Sequence, residues 1–186
     1  MDYYSDKDKN KETITYFENE CFDWVSTIIS AISILVIIFT IFIKLIVVNG
    51  VSMNPTLHDK DWMILRSFLC SPQKGDIVVI QKESLNEPII KRIIATENDL
   101  IDIKEGKVYI NNELKDEHEY IENSFTQSYS TYKFPMIVPK GCYFVMGDNR
   151  ENSLDSRSKE IGTVSKNEIL GEAKIIIFPF DRIKIT

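Results

Sequence analysis

Three short stretches carry residue types able to perform nucleophilic hydrolysis. The first, Gly50-Val51-Ser52-Met53-Asn54-Pro55-Thr56-Leu57, places a serine in a run of turn-forming residues. A serine hydroxyl becomes a nucleophile only beside a base; without one, this stretch is a plain turn. The second, Ile90-Lys91-Arg92-Ile93, sets two cations in an apolar strand pattern. Side chains alternate along a strand, so Lys91 shares a face with Ile89, Ile93 and Ala95, and Arg92 shares the other with Ile90 and Ile94. Such cations commonly snorkel to solvent or pair with carboxylates. The alternative is a desolvated Lys91, whose pKa would fall by about two units and leave an amine able to act as a base near neutrality. The third stretch, Gly147-Asp148-Asn149-Arg150-Glu151-Asn152-Ser153-Leu154-Asp155-Ser156-Arg157, is dense in carboxylates and guanidinium groups. It does not suit calcium, because an EF-hand counted from Asp148 would need oxygen ligands where Arg150 and Lys159 stand and a glycine where Ser153 stands. The two histidines, His58 in His-Asp-Lys-Asp and His118 in a polar stretch, read as solvated residues. If Ser52 is a nucleophile, Lys91 is then a better candidate base than either imidazole.

The elements that must position these residues follow from composition and patterning. The chain has 186 residues, with 22 Lys and Arg against 28 Asp and Glu, a net charge of −6. That balance is unsuited to neutralising a phosphate backbone, so no nucleic-acid partner is expected. From Trp24 to Ile43 run 20 residues without a charge, 15 of them apolar, enough for a helix of about 30 Å that matches a bilayer core. A secretory signal would have a shorter apolar run, roughly 7–15 residues, and a basic rather than acidic leading segment. Residues 24–48 are therefore expected to be a retained transmembrane anchor, and residues 1–23 an acidic, flexible or weakly helical tail. Lys7, Lys9 and Lys11 before the span balance Lys44, Lys60 and Arg66 after it, so the positive-charge rule leaves orientation open.

Beyond the anchor, residues 49–186 form one domain by size. Short β-branched runs at Trp62–Leu65, Ile77–Ile80, Ile89–Ala95, Leu100–Ile103, Val108–Ile110, Tyr143–Met146 and Ala173–Phe178 alternate with turn signals such as Lys74-Gly75-Asp76 and Asn111-Asn112, which predicts a mainly antiparallel β fold. Residues 111–139 lose the apolar period and suggest an inserted flap. Ser165 with Glu168 allows one capped helical turn. Cys21, Cys70 and Cys142 are widely spaced and offer no zinc pattern; three free thiols, or a Cys70–Cys142 bridge, fit them.

In this order, the span, Ser52-Met53-x-Pro55-Thr56-Leu57, Lys74-Gly75-Asp76-Ile77-Val78, Lys91-Arg92-Ile93-Ile94 and Gly147-Asp148-Asn149-x-x-Asn152-Ser153-x-Asp155-Ser156-Arg157 resemble the type I bacterial signal peptidases of family S26. The resemblance implies an outward-facing β-rich catalytic core with a small β insertion, an N-terminus in the cytoplasm, and a monomer. It implies Ser52 as the nucleophile and Lys91 as its base, with the Ser52 N–H donating to the oxyanion. It further implies a hydrogen bond from Ser153 orienting Lys91, and supporting charge pairs Arg92–Asp148 and Asp155–Arg157. Val48, Met53, Leu57 and Ile90 would line pockets for small side chains at positions −1 and −3 of secreted preproteins, and neither metal nor cofactor is called for. Gly50 stands where some members carry a second, side-chain oxyanion donor. Two rivals are weighed: the self-cleaving repressors, which are soluble and bind DNA, against which the span and the acidic tail argue; and a catalytically silent surface-assembly scaffold, against which the intact Ser52, Lys91, Ser153 and Asp155 argue.

Overall fold

The protein is described by a computed structural model covering residues 3–67, 71–121, 125, 126 and 133–186. It divides into a helical unit ending at Phe42 and a β unit from Ile43 to Thr186.

The helical unit is one helix, α1 (Tyr3–Phe42). Within it Glu20–Ile37 is long and apolar enough to cross a membrane, and Trp24, Ile28, Ile32, Leu35 and Phe39 are exposed, as a lipid-facing helix requires. The acidic tail, expected to be flexible or weakly helical, is helical from Tyr3 onward and continuous with the apolar run. One expectation changes. The helix stops at Phe42, and Ile43–Val47, assigned to the anchor by the sequence, form strand β1 paired through all five residues with β2 (Trp62–Arg66). There Leu45 and Val47 face outward while Ile46 packs on the core and Val48 is buried. Because β1 directly continues an apolar run, its two-residue period is invisible in the sequence.

The β unit also contains β3 (Ile77–Ile80), β4 (Ile89–Ala95), β5 (Leu100–Lys104), β6 (Lys107–Ile110), β7 (Glu113–Leu114), β8 (Met136–Ile137), β9 (Cys142–Met146), β10 (Val164–Ser165), β11 (Ile169–Phe178) and β12 (Lys184–Ile185). Among the described residues the larger sheet runs β1-β2-β11-β3-β4-β9-β10, with β12 beside β11, and the smaller runs β7-β6-β5-β8. Every described pairing is antiparallel. The mainly β class with a small β insertion is therefore correct. The insertion is larger than the expected flap of 111–139: that stretch contributes only β7 and β8, added to the edges of the β5–β6 hairpin. Ser165 and Glu168 do frame a single short turn, Lys166–Glu168, with the Glu168 carboxylate accepting from Ser165 N–H at 2.7 Å.

Three buried apolar clusters hold the unit together. One contains Val48, Met53, Leu57, Met63, Ile77, Val79, Ile90 and Ile176; another packs Ile94, Ala95, Phe144 and Met146 against Ile101 and Val108 of the smaller sheet; the third contains Val78, Ile93, Val145 and Ile161. In β4 the expected alternation separates Ile90 from Ile89 and Ile93, until a bulge between Ile93 and Ala95 brings Ile94 and Ala95 into one cluster. Bridging Cys70 to Cys142 concerns a residue outside the described ones.

Removing β1 should be costly, because it strips five residue pairs from β2 and the buried Val48. A chain beginning at Asn49 is expected to melt about 10 °C or more below one beginning at Ile43, from roughly 3 kcal/mol of lost burial; calorimetry of the two chains checks this.

Candidate active site

Ser52 sits on a loop closed at its base. Val48 N–H donates to Asp61 C=O at 2.8 Å and Lys60 N–H to Val48 C=O at 2.9 Å, so residues 49–60 bulge from one fixed point. Gly50 adopts φ +92°, a left-handed conformation that glycine takes without strain, and its N–H donates to Asp59 Oδ1 at 2.8 Å. Buried Asp61 is in turn gripped through both carboxylate oxygens by Arg182, at 2.8 and 2.9 Å.

Lys91 comes from the middle of β4, paired with Val78, and is 3% exposed. Its Nζ donates to Ser52 Oγ at 2.7 Å and to the Ile90 carbonyl at 2.9 Å. Burial lowers its pKa to about 8, against the opposing pull of the Asp155 and Asp148 carboxylates. Of the two fates open to Lys91, the structure has the desolvated one: a serine hydroxyl touching a buried amine whose pKa is pulled down to about 8, with no imidazole nearby. His58 and His118 are both exposed. Among the described residues no group of three His, Cys, Asp or Glu could hold a metal ion.

The third polar stretch folds against this pair. Asp155, fully buried, accepts from Arg157 Nε and Nη2 at 2.8 Å each and from Gly147 N–H at 3.1 Å. Asp148 is clamped by Arg92, whose Nε and Nη2 reach its two oxygens at 2.8 and 2.6 Å, while Thr56 Oγ1 donates to it at 2.5 Å. The two expected charge pairs are thus present. The expected bond from Ser153 to Lys91 is not: Ser153 Oγ is buried without a hydrogen-bond partner. Lys91 aims at Ser52 and the Ile90 carbonyl instead, and the Ser153 hydroxyl lies over Gly147, where a Cβ would collide with it and with the Ser52 carbonyl.

Other contributors escape a reading by residue type. Asn149 N–H donates to Ser52 C=O at 3.0 Å and its side chain to Val51 C=O at 3.2 Å, fastening the serine loop to the third stretch. Arg150, buried, donates from Nε to Gly147 C=O at 3.0 Å and grips Glu117 at 2.7 and 2.8 Å and Thr126 Oγ1 at 2.7 Å. Tyr120 donates to Glu117 at 2.8 Å while Arg92 lies 4.3 Å over its ring. Burial beside that carboxylate pushes the Tyr120 hydroxyl well above its ordinary pKa. The only advance signal was the density of charge; the partners lie in a stretch that reads as a solvated flap.

A groove of about 170 Å³ leads to Ser52 and Lys91 between Ile46–Asn49 and Glu87–Ile90. Val48, Met53 and Ile90 line it, whereas Leu57 belongs to the packed layer behind.

Residues 21–178 match the family model described as "Signal peptidase, peptidase S26". The chain belongs to this signal peptidase family. Its relatives include signal peptidase I of Bacillus licheniformis, 33% identical with 95% of this chain and 98% of the relative covered. Signal peptidase I of Bacillus amyloliquefaciens is 34% identical over 96% and 99%, and signal peptidase I T of Bacillus subtilis is 32% identical over 98% and 95%. A crystal structure of a signal peptidase I from Enterococcus faecalis aligns with 56% of this chain and 97% of its own at 26% identity, with a TM-score of 0.47. The chain is thus a hydrolase, a serine endopeptidase of the type I signal peptidase group.

Two outcomes follow for this signal peptidase. Below about pH 8 both folded and unfolded Lys91 are charged, and the fold carries the desolvation cost; between about 8 and 10.5 the unfolded chain binds more protons, so stability rises with pH. Lys91→Met, which removes that cost, is expected to stabilise the fold by up to about 3 kcal/mol at pH 6 and by little at pH 10.5, read from denaturant midpoints. Gly147→Ala is expected to lower kcat/KM at least about tenfold through the collision described, whereas at Gly171, where a Cβ also meets backbone but lies away from the serine, Ala should mainly lower the melting temperature.

Proposed function

We propose that the protein removes N-terminal signal peptides from secreted preproteins through a Ser52/Lys91 dyad. The observation carrying this reading is the 2.7 Å contact of Ser52 Oγ with the buried Lys91 Nζ at the end of a groove. Neutral Lys91 takes the Ser52 proton as Oγ attacks the scissile carbonyl, and returns it to the departing amine, leaving an acyl-enzyme. It then takes a proton from the hydrolytic water and gives it back to Ser52 as the signal peptide leaves. The Ser52 N–H, which donates to no acceptor among the described residues, suits the oxyanion.

The groove favours an extended substrate. Among the described residues β1 pairs only with β2, and β4, paired with β3 on one edge, meets β9 on the other no earlier than Arg92, so each stretch facing the groove has one free backbone edge to which a peptide can add as a strand. Its walls, Val48, Met53 and Ile90, leave room only for small residues at −1 and −3. Arg92, Asp148, Asp155 and Arg157 hold the loop that backs the dyad, and Ser153 packs that loop rather than touching the amine. The apolar span of α1 anchors the enzyme as a single-pass protein, residues 1–23 on the cytoplasmic side and the β unit outside, where secreted substrates emerge. A silent scaffold would have no need of a buried lysine, its pKa lowered to about 8, in contact with a serine.

The deciding experiment is cleavage of a preprotein with an Ala-x-Ala site in detergent micelles by wild type and by Ser52→Ala and Lys91→Ala at equal folded concentration. Both variants should lose at least about 10³-fold, and His58→Ala less than about twofold; a fully active Lys91→Ala protein would refute the dyad. Wild-type kcat/KM should rise about tenfold per pH unit up to about pH 8 and then level, and should be unaffected by EDTA.

A further inference from the structure

The groove carries a charged group that the proposed reaction does not use. Its lining residues include two charged side chains, Glu87 and Lys91. Lys91 is buried and turned toward Ser52 and the Ile90 carbonyl, so what a bound peptide meets at the rim is an exposed carboxylate. Asn49 Nδ2 on the opposite wall donates to Glu87 Oε2 at 3.3 Å. This contact spans the groove mouth between two exposed residues, and a bond that long and that solvated is one an incoming side chain can replace. Glu87 precedes Lys91 by four residues, in the bend that leads into β4 at Ile89, which puts it at most about 13 Å back along the chain. A substrate strand lying against this wall therefore brings a side chain four or five residues from the scissile bond beside Glu87. The inference rests on the peptidase reading above: with the −1 and −3 side chains beside Ile90 and Val48, the residues reaching Glu87 belong to the signal peptide, at −4 and −5.

We infer that Glu87 is a specificity-determining residue, selecting signal peptides with a basic or neutral side chain at −4 or −5 and discriminating against an acidic one. The size of the effect is that of an exposed charge pair at a rim, a few-fold for each sign of substrate charge, and it is weakened by salt.

The test compares peptides that share an Ala-x-Ala site and carry Lys, Gln or Glu at −4 or −5, cleaved by wild type, Glu87→Gln and Glu87→Lys. The readout is the ratio of kcat/KM for the Lys and Glu peptides, which is independent of the fraction of enzyme that is folded and active. Wild type should favour Lys over Glu by about three- to tenfold at low salt and less at 0.5 M salt. Glu87→Gln should bring the ratio close to one, and Glu87→Lys should invert it. A ratio that is the same in all three enzymes at both positions overturns the inference. If wild type fails to cleave even the Gln peptide in a Ser52-dependent way, the peptidase reading falls and takes this inference with it.

Discussion

The site depends on one unfavourable act, the burial of a lysine. An ammonium removed from water with no carboxylate in direct contact costs several kcal/mol unless it sheds its proton, and Lys91 answers by becoming easy to deprotonate. Asp148 and Asp155 are near enough to moderate the shift but are each occupied by an arginine, Arg92 and Arg157. Had either carboxylate been free to reach Lys91, a salt bridge would have held the amine protonated. The charge pairs around Ser52 and Lys91 therefore keep charge away from the lysine as much as they brace the loop.

This division explains why so many ionic groups lie in a small β domain. Buried ion pairs contribute little net stability but fix geometry, because leaving either partner alone is costly. Arg150 extends the arrangement outward: by holding the Gly147 carbonyl with one edge and Glu117 with the other, it ties the loop backing Ser52 to the smaller sheet's connecting segment. Gly147 is packed between the Ser153 hydroxyl and the Ser52 carbonyl, with no room for a side chain, so the third stretch and the serine loop meet there in backbone contact.

The larger sheet supplies the groove that opens onto Ser52 and Lys91. Its order brings β1, at one end, and the beginning of β4, paired with β3 on one edge only among the described residues, to the two sides of a single groove. Free strand edges are usually hazards to be covered; here they border the groove beside Ser52 and Lys91. The groove walls Val48, Met53 and Ile90 come from the same cluster that forms part of the core, so they are held in place by packing on the side away from the groove.

Much of this was legible in the sequence. The apolar run, the β-branched stretches with turn residues between them and the order of the polar motifs determined the class of fold, the span and the pairing of Ser52 with Lys91, because each rests on local periodicity or residue type. What the sequence could not decide were matters of distance. Whether Lys91 would be solvated or desolvated depended on Val78 and Ser52, residues far apart along the chain. The end of the helix at Phe42 was set by β2, which recruits Ile43–Val47 as an edge strand although they look like more anchor. Ser153 was drawn toward Lys91 by its place in a motif, but packing over Gly147 turned its hydroxyl elsewhere. Glu117, Tyr120 and Thr126 looked like surface because their partner, Arg150, lies in another stretch. Local patterns record which face of an element is apolar; only the closed sheet decides which buried polar groups meet, since each such meeting is selected by the cost of leaving it unmade.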